Sequence, residues 1–123
     1  MTTPIVSFDI AGPNLEALGA FYRSVFGWQI APDKHFPQQA HAIQPVTVTS
    51  PMRGTLRNDP PQTLIYLGVP DITAAFDKIQ AHGGTAESPR LAIPGVVVLG
   101  LFTDPAGNRL GLIEMDGDKP RVP

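Results

Sequence analysis

The chain has 123 residues, enough for one domain with a single core and too few for two ordinary domains. Hydrophobic residues make up 42% and charged residues 16%, with a formal net charge of -2 and no basic block, so no field draws in nucleic acid or an anionic membrane. The absence of cysteine excludes disulfides, thiolate metal sites and cysteine nucleophiles, and suits the cytoplasm. The start Met1-Thr2-Thr3-Pro4-Ile5 has no signal-peptide pattern, and no apolar run approaches the roughly 20 residues that span a bilayer. The expectation is a cytoplasmic protein with neither membrane nor nucleic acid as partner.

The first element expected is a strand over Ile5 to Ile10, with Val6, Phe8 and Ile10 on one face and Ser7 and Asp9 on the other. Ala11-Gly12-Pro13 ends it, and Asn14 is a suitable N-cap for a helix with Glu16 in its first turn. Leu15, Leu18, Tyr22 and Val25 fall on one helical face, Phe21 and Phe26 widen that stripe, and Gly27 is placed to close the helix. Trp28-Gln29-Ile30 restarts an extended segment. A polar, proline-bearing loop over Ala31 to Ala40 contains His35. His41 to Thr49 reads as a strand interrupted by Pro45, Pro51 to Leu56 as a short fourth strand, and Arg57 to Pro61 as a linker.

Thr63 to Val69 is the next strand, and Asp71 caps a second helix that buries Ile72, Ala75, Phe76 and Ile79 and ends at His82-Gly83-Gly84. A short Thr85-Ala86-Glu87 segment and a proline-bounded turn region lead to two apolar runs, Val96 to Phe102 and Leu110 to Ile113. Between them Asp104-Pro105 fits the start of a type I turn, and Gly107 fits the left-handed position that follows, which makes a tight hairpin. Asp116 to Pro123 reads as a frayed tail.

An offset of 57 residues pairs Asn14 with Asp71, Leu15 with Ile72, Leu18 with Ala75, Tyr22 with Ile79, Ser7 with Leu64 and Gly54 with Gly111. Each half reads β-α-β-β-β, so the expected domain is single, over 1–123, with repeat units at about 4–57 and 62–115. A sheet of this size with one helix leaves a face uncovered. Two such units with helices outside would form an α+β fold, a curved mixed sheet around a cavity able to take a small molecule.

Three stretches run through nearly the whole chain: Ser7-Phe8-Asp9-Ile10 leading to Phe21-Tyr22-Arg23-Ser24-Val25-Phe26-Gly27-Trp28, then Tyr66-Leu67-Gly68-Val69-Pro70-Asp71-Ile72, and Phe102-Thr103-Asp104-Pro105-Ala106-Gly107-Asn108. In this order they resemble the vicinal oxygen chelate superfamily, which includes glyoxalase I, bleomycin-resistance proteins and extradiol dioxygenases. The resemblance implies a homodimer. It also implies metal-ligand positions that can be counted from the motifs: fourteen residues before Phe21, seven before Asp71 and seven after Asp104. These are Ser7, Leu64 and Gly111. Leucine and glycine side chains offer no donor to a metal, and a slip of one residue reaches only Phe8, Ile65 and Leu112. A further position falls near Val46 to Thr49. No metal and no other cofactor is therefore expected.

Asp9, beside Ser7 on the polar face, is the candidate general base or ligand anchor; the competing reading is an aspartate held by a nearby arginine. Tyr66 shares a face with Leu64 and could donate its hydroxyl. Trp28 could stack on a ligand or belong to the core. His41 could reach the cavity from its strand and His35 from a lid loop, but both are read first as solvated loop histidines, since neither has a second His or carboxylate at ligand spacing. Glu114 points away from Gly111 by strand alternation and is not a ligand. Arg53 and Arg57 are read as coating a solvated edge, the alternative being that they meet an anionic ligand. No phosphate loop, Gly-x-Ser-x-Gly elbow or His-Glu-x-x-His occurs. The leading expectation is a metal-free binder of a small apolar or aromatic molecule. Leu64, Ile113, Trp28, Tyr66 and Gly111 would form the wall, and Ser7 and Asp9 would orient the ligand. The second is a glyoxalase- or dioxygenase-like enzyme (lyase, isomerase or oxygenase). It would use a divalent metal on unusual ligands such as Asp9 and His41, or Asp9 as a metal-free base. The third is a structural or regulatory module with a filled cavity.

Overall fold

A computed structural model describes residues 2–45 and 52–123. Its contacts divide into two units, Ser7–Leu64 and Met1–Val6 with Ile65–Pro123, and the division falls inside the strands β1 (Ile5–Gly12) and β5 (Gln62–Val69). These two strands are themselves 57 residues apart at both ends. The α+β class expected from the sequence is the one observed.

In the first unit the order along the chain is β1, α1 (Leu15–Phe26), β2 (Ile30–Pro32), β3 (Ala40–Ile43) and β4 (Arg53–Asn58). The sheet runs β2-β3-β4-β1, antiparallel except for the parallel pair of β1 with β4. Asn14 caps α1 as expected, its side chain accepting from Ala17 N at 3.0 Å, and Gly27 closes it at φ 71°. The face of α1 that meets the sheet packs Leu15, Leu18 and Tyr22 with Ile43, Leu56, Phe8 and Ile10. The widened stripe does not: Phe21, Val25 and Phe26 are all more than half exposed. A three-turn helix crossing so small a sheet can bury only a narrow seam, and side chains at the stripe's border remain in solvent.

The segment read as a linker is shorter than expected. Arg57 and Asn58 belong to β4, which lies between β3 and β1, so Arg57 is on an interior strand and not a solvated edge. The alternation Gly54-Thr55-Leu56-Arg57 carries the strand two residues past Leu56, until Asp59-Pro60-Pro61 stops it. The strand expected over His41 to Thr49 is described as β3 as far as Ile43; Val46 to Thr49, with the further ligand position placed there, lies outside the described residues, as does Pro51.

The second unit contains β5, α2 (Ile72–Ala81), β6 (Thr85–Ala86), β7 (Leu91–Ile93), β8 (Val97–Thr103), β9 (Arg109–Asp116) and β10 (Lys119–Pro120). Its strands run β5-β9-β8-β6, with β7 also on β8 and β10 also on β9. Asp71 caps α2 by accepting from Ala74 N at 3.1 Å, and Ile72, Ala75, Phe76 and Ile79 pack on Val69, Val98, Phe102 and Leu112. The β8–β9 hairpin forms around Asp104 as the sequence implies. Gly107 N donates to Asp104 O at 3.0 Å, Gly107 takes φ 96°, and Asp104 Oδ1 accepts from both Ala106 N and Asn108 N. The tail is not frayed, because Arg121 N donates to Glu114 O at 2.9 Å and Gly95 N to Pro123 O at 2.9 Å.

The pairing of Gly54 with Gly111 at the common offset needs correction. Phe8 stands opposite Gly54 in the β1–β4 register and Tyr66 opposite Gly111 in the β5–β9 register. Phe8 is on the helix side of its strand, whereas Tyr66 alternates with Leu67 and Val69, which pack on α2. The two glycines therefore lie on opposite kinds of face, and the structural counterpart of Gly111 is Thr55. Among the described residues no helix is long and apolar enough to cross a membrane.

Candidate functional site

Each unit has one sheet face turned away from its helix, and most of the residues singled out in the sequence stand on these two faces. In the first unit alternation places Ser7, Asp9 and Ala11 of β1 there, with Arg53, Thr55 and Arg57 of β4. Ser7 Oγ donates to Arg53 O at 3.4 Å. Asp9 is 3% exposed, and its Oδ2 lies 3.4 Å from Arg57 Nε. Arg57 reaches on to Asp59, with Nη1 2.6 Å from Oδ2. The geometry is that of the competing reading, an aspartate held by an arginine. A buried carboxylate beside a guanidinium is a fixed pair of opposite charges able to orient a polar ligand.

In the second unit the corresponding face carries Tyr66, Gly111 and Ile113, with Leu99 opposite Ile113 and Leu101 opposite Gly111. Tyr66 lies flat across its neighbour: a Cβ built on Gly111 would stand 2.3 Å from Tyr66 Cε1 and 2.4 Å from Cδ1. No side chain fits at position 111 while the ring is there, so the glycine answers a close approach of an aromatic ring. Leu64 is 2% exposed, and alternation along β5 puts it on the same side of that strand as Tyr66.

The three positions from which relatives would hold a metal ion thus present one hydroxyl, one buried hydrocarbon and one backbone covered by a ring. Among the described residues no group of three or more His, Asp or Glu is placed to hold an ion. These residues do not fit a metal centre.

Two expected participants stand elsewhere. Trp28 is stacked on Tyr22 at 4.9 Å and 12° and meets Phe8 edge-on at 6.0 Å, within the helix-side cluster and away from the Ser7–Asp9 face. His41 pairs in register with Leu56, a core residue under α1, and is 4% exposed. Asp9 and His41 therefore face opposite sides of one sheet and cannot share an ion, which removes the ligand pair proposed for a metal enzyme. His35 stays in the exposed loop, where its backbone N–H donates to Asp33 Oδ2 at 2.9 Å.

The sequence reading missed Arg57 as Asp9's partner because it ended the strand too early. It also left Glu114 without a role beyond excluding it as a ligand. Glu114 is 2% exposed on the helix side of β9, where its Oε2 accepts from Ile72 N at 2.9 Å and from Arg90 Nε at 2.9 Å. Arg90 Nη2 donates to Oε1 at 2.6 Å, and Arg121 Nη1 approaches the same oxygen at 3.7 Å. The Arg90 hydrogen bonds, the Ile72 amide and the positive charge of both arginines outweigh burial and hold this carboxyl at about 2. It is a structural anchor for the head of α2.

A family model described as a glyoxalase-like domain matches residues 6–113. No curated protein matches the chain. Among solved structures, a hypothetical protein from Bacillus halodurans is similar at TM-score 0.66 and 12% identity, covering 94% of this chain and 96% of that one. A Streptomyces coelicolor methylmalonyl-CoA epimerase variant in complex with 2-nitronate-propionyl-CoA is similar at TM-score 0.62 and 16% identity, covering 93% and 98%. The Mycobacterium tuberculosis methylmalonyl-CoA epimerase is similar at TM-score 0.59 and 13% identity, covering 91% and 87%. At these identities the likeness is one of fold.

Proposed function

The chain belongs to the glyoxalase-like domain family, within the vicinal oxygen chelate superfamily, and from that premise we propose that it binds a small molecule without a metal ion. The observation that supports this most is Tyr66 lying across Gly111, because it replaces a donor position with an aromatic surface. Within the second unit Tyr66 and Ile113 supply apolar contact area, and within the first unit the Asp9–Arg57 pair with Ser7 supplies polar groups that can fix a ligand's orientation. The ligand is a small apolar or aromatic molecule with one polar end. Trp28 is not part of this reading, since its ring is committed to Tyr22. The homodimer implied by the family belongs to the same proposal and is supported by the exposed ridge of Phe21, Val25 and Phe26 on α1.

A thermal-shift screen of small aromatic and aliphatic compounds, run with and without EDTA, tests the reading. A binder present at a hundred times its dissociation constant stabilises the fold by about 2.7 kcal/mol. The expected result is a hit that EDTA leaves unchanged and that Asp9→Asn weakens. Hits that appear only with an added divalent ion would overturn it, and a screen without any response would favour the filled module.

A further inference from the structure

We propose a second binding site, for a small carboxylate, in the cleft at the head of α1. It lies on the helix side of the first unit, away from the Ser7–Asp9 face and independent of the function proposed above. The cleft has a volume of about 420 Å³, and its walls include Asn14, Leu15 and Glu16 of the helix start, Gln38 of the preceding loop, and His41 and Asn58 from β3 and β4. Two separate observations point to an acceptor ligand there.

The first is the helix terminus. α1 has 12 residues, and of its leading amides Ala17 N is taken by the Asn14 side chain and Leu18 N by Asn14 O. Leu15 N and Glu16 N, at the first two helical positions, have no acceptor within the helix, and the helix dipole favours negative charge at this end.

The second is His41. It is 4% exposed, and its Nδ1 is sealed from solvent with no hydrogen-bond partner among the described residues. Nε2 is not sealed in this way, which leaves it as the ring nitrogen for the cleft that His41 lines. A buried N–H without an acceptor costs more than a buried lone pair without a donor, so the hydrogen belongs on Nε2. His41 then presents a donor into a cleft already headed by two amide donors, with the Gln38 and Asn58 amides beside them. A carboxylate satisfies such a set with its two oxygens. Glu16 is the opposing charge at the rim, and it limits the affinity.

The test uses the full chain labelled with nitrogen-15, titrated with acetate at constant ionic strength and followed through the histidine ring resonances. His35 and His82 serve as internal references. The expected result is a saturable shift of the His41 Nε2 signal, with the Leu15 and Glu16 amides moving in parallel and His35 and His82 unmoved. Glu16→Gln should tighten binding about two- to fivefold, the size of a charge effect at a helix terminus. His41→Gln keeps a donor and should retain the amide shifts, whereas His41→Leu should abolish saturation. His41 signals that stay still up to 100 mM acetate in both the native chain and Glu16→Gln would overturn the site, as would shifts that never saturate or that the reference histidines share. A failed screen on the other sheet face would leave this result untouched.

Discussion

Gly111 and Tyr66 show how one missing Cβ can decide a chemistry. Replacing Gly111 with alanine forces an atom to within 2.4 Å of the Tyr66 ring, so the ring or the strand must shift. The expected cost is about 1–3 kcal/mol by urea denaturation. Adding Tyr66→Ala to Gly111→Ala removes the collision, and a double-mutant cycle should return strong coupling between the two. Glu114 gives a second prediction at this scale. Its carboxyl is held at about 2 against an ordinary value of 4.5, so it contributes stability that is complete above the ordinary value and is lost as the pH falls toward 2. That contribution is at most about 3 kcal/mol. Glu114→Gln should lower stability at pH 7 and flatten its pH dependence between pH 4.5 and 2, measured by denaturation across that range.

At the scale of elements, capping was the most readable signal. Asn14 and Asp71 each sit before an apolar stripe, each accepts from the amide three residues on, and each should cost about 1 kcal/mol when changed to alanine. The Asp104 hairpin was legible for the same reason: turn chemistry is local, written in consecutive residues. Strand ends and strand faces were less legible. Arg57 looked like linker because prolines followed three residues later, and only its pairing with both β1 and β3 makes it interior. The tail looked polar and free, yet it is tied by backbone bonds to Glu114 and Gly95 that no local pattern announces. The offset that aligned both helices failed by one residue at Gly54, because register is a property of two strands and not of one sequence position. The exposed ridge of α1 has its own test. Light scattering should give twice the chain mass, and Val25→Glu with Phe26→Glu should give the monomer while circular dichroism stays unchanged.

For the molecule as a whole, the family was visible from motif order, and the family model over residues 6–113 agrees with it. What the sequence left open was the side of the sheet on which Trp28 and His41 stand. Ser7, Asp9, Tyr66 and Gly111 keep to faces turned from the helices, while Trp28 stacks on Tyr22 and His41 pairs in register with Leu56 on the helix side. Those facts bear on one question, whether an ion belongs in this protein. Metal analysis of purified protein answers it: after incubation with zinc, manganese or nickel and exhaustive dialysis, the account predicts far less than one equivalent bound per chain. One equivalent retained, and lost only to a chelator, would contradict it.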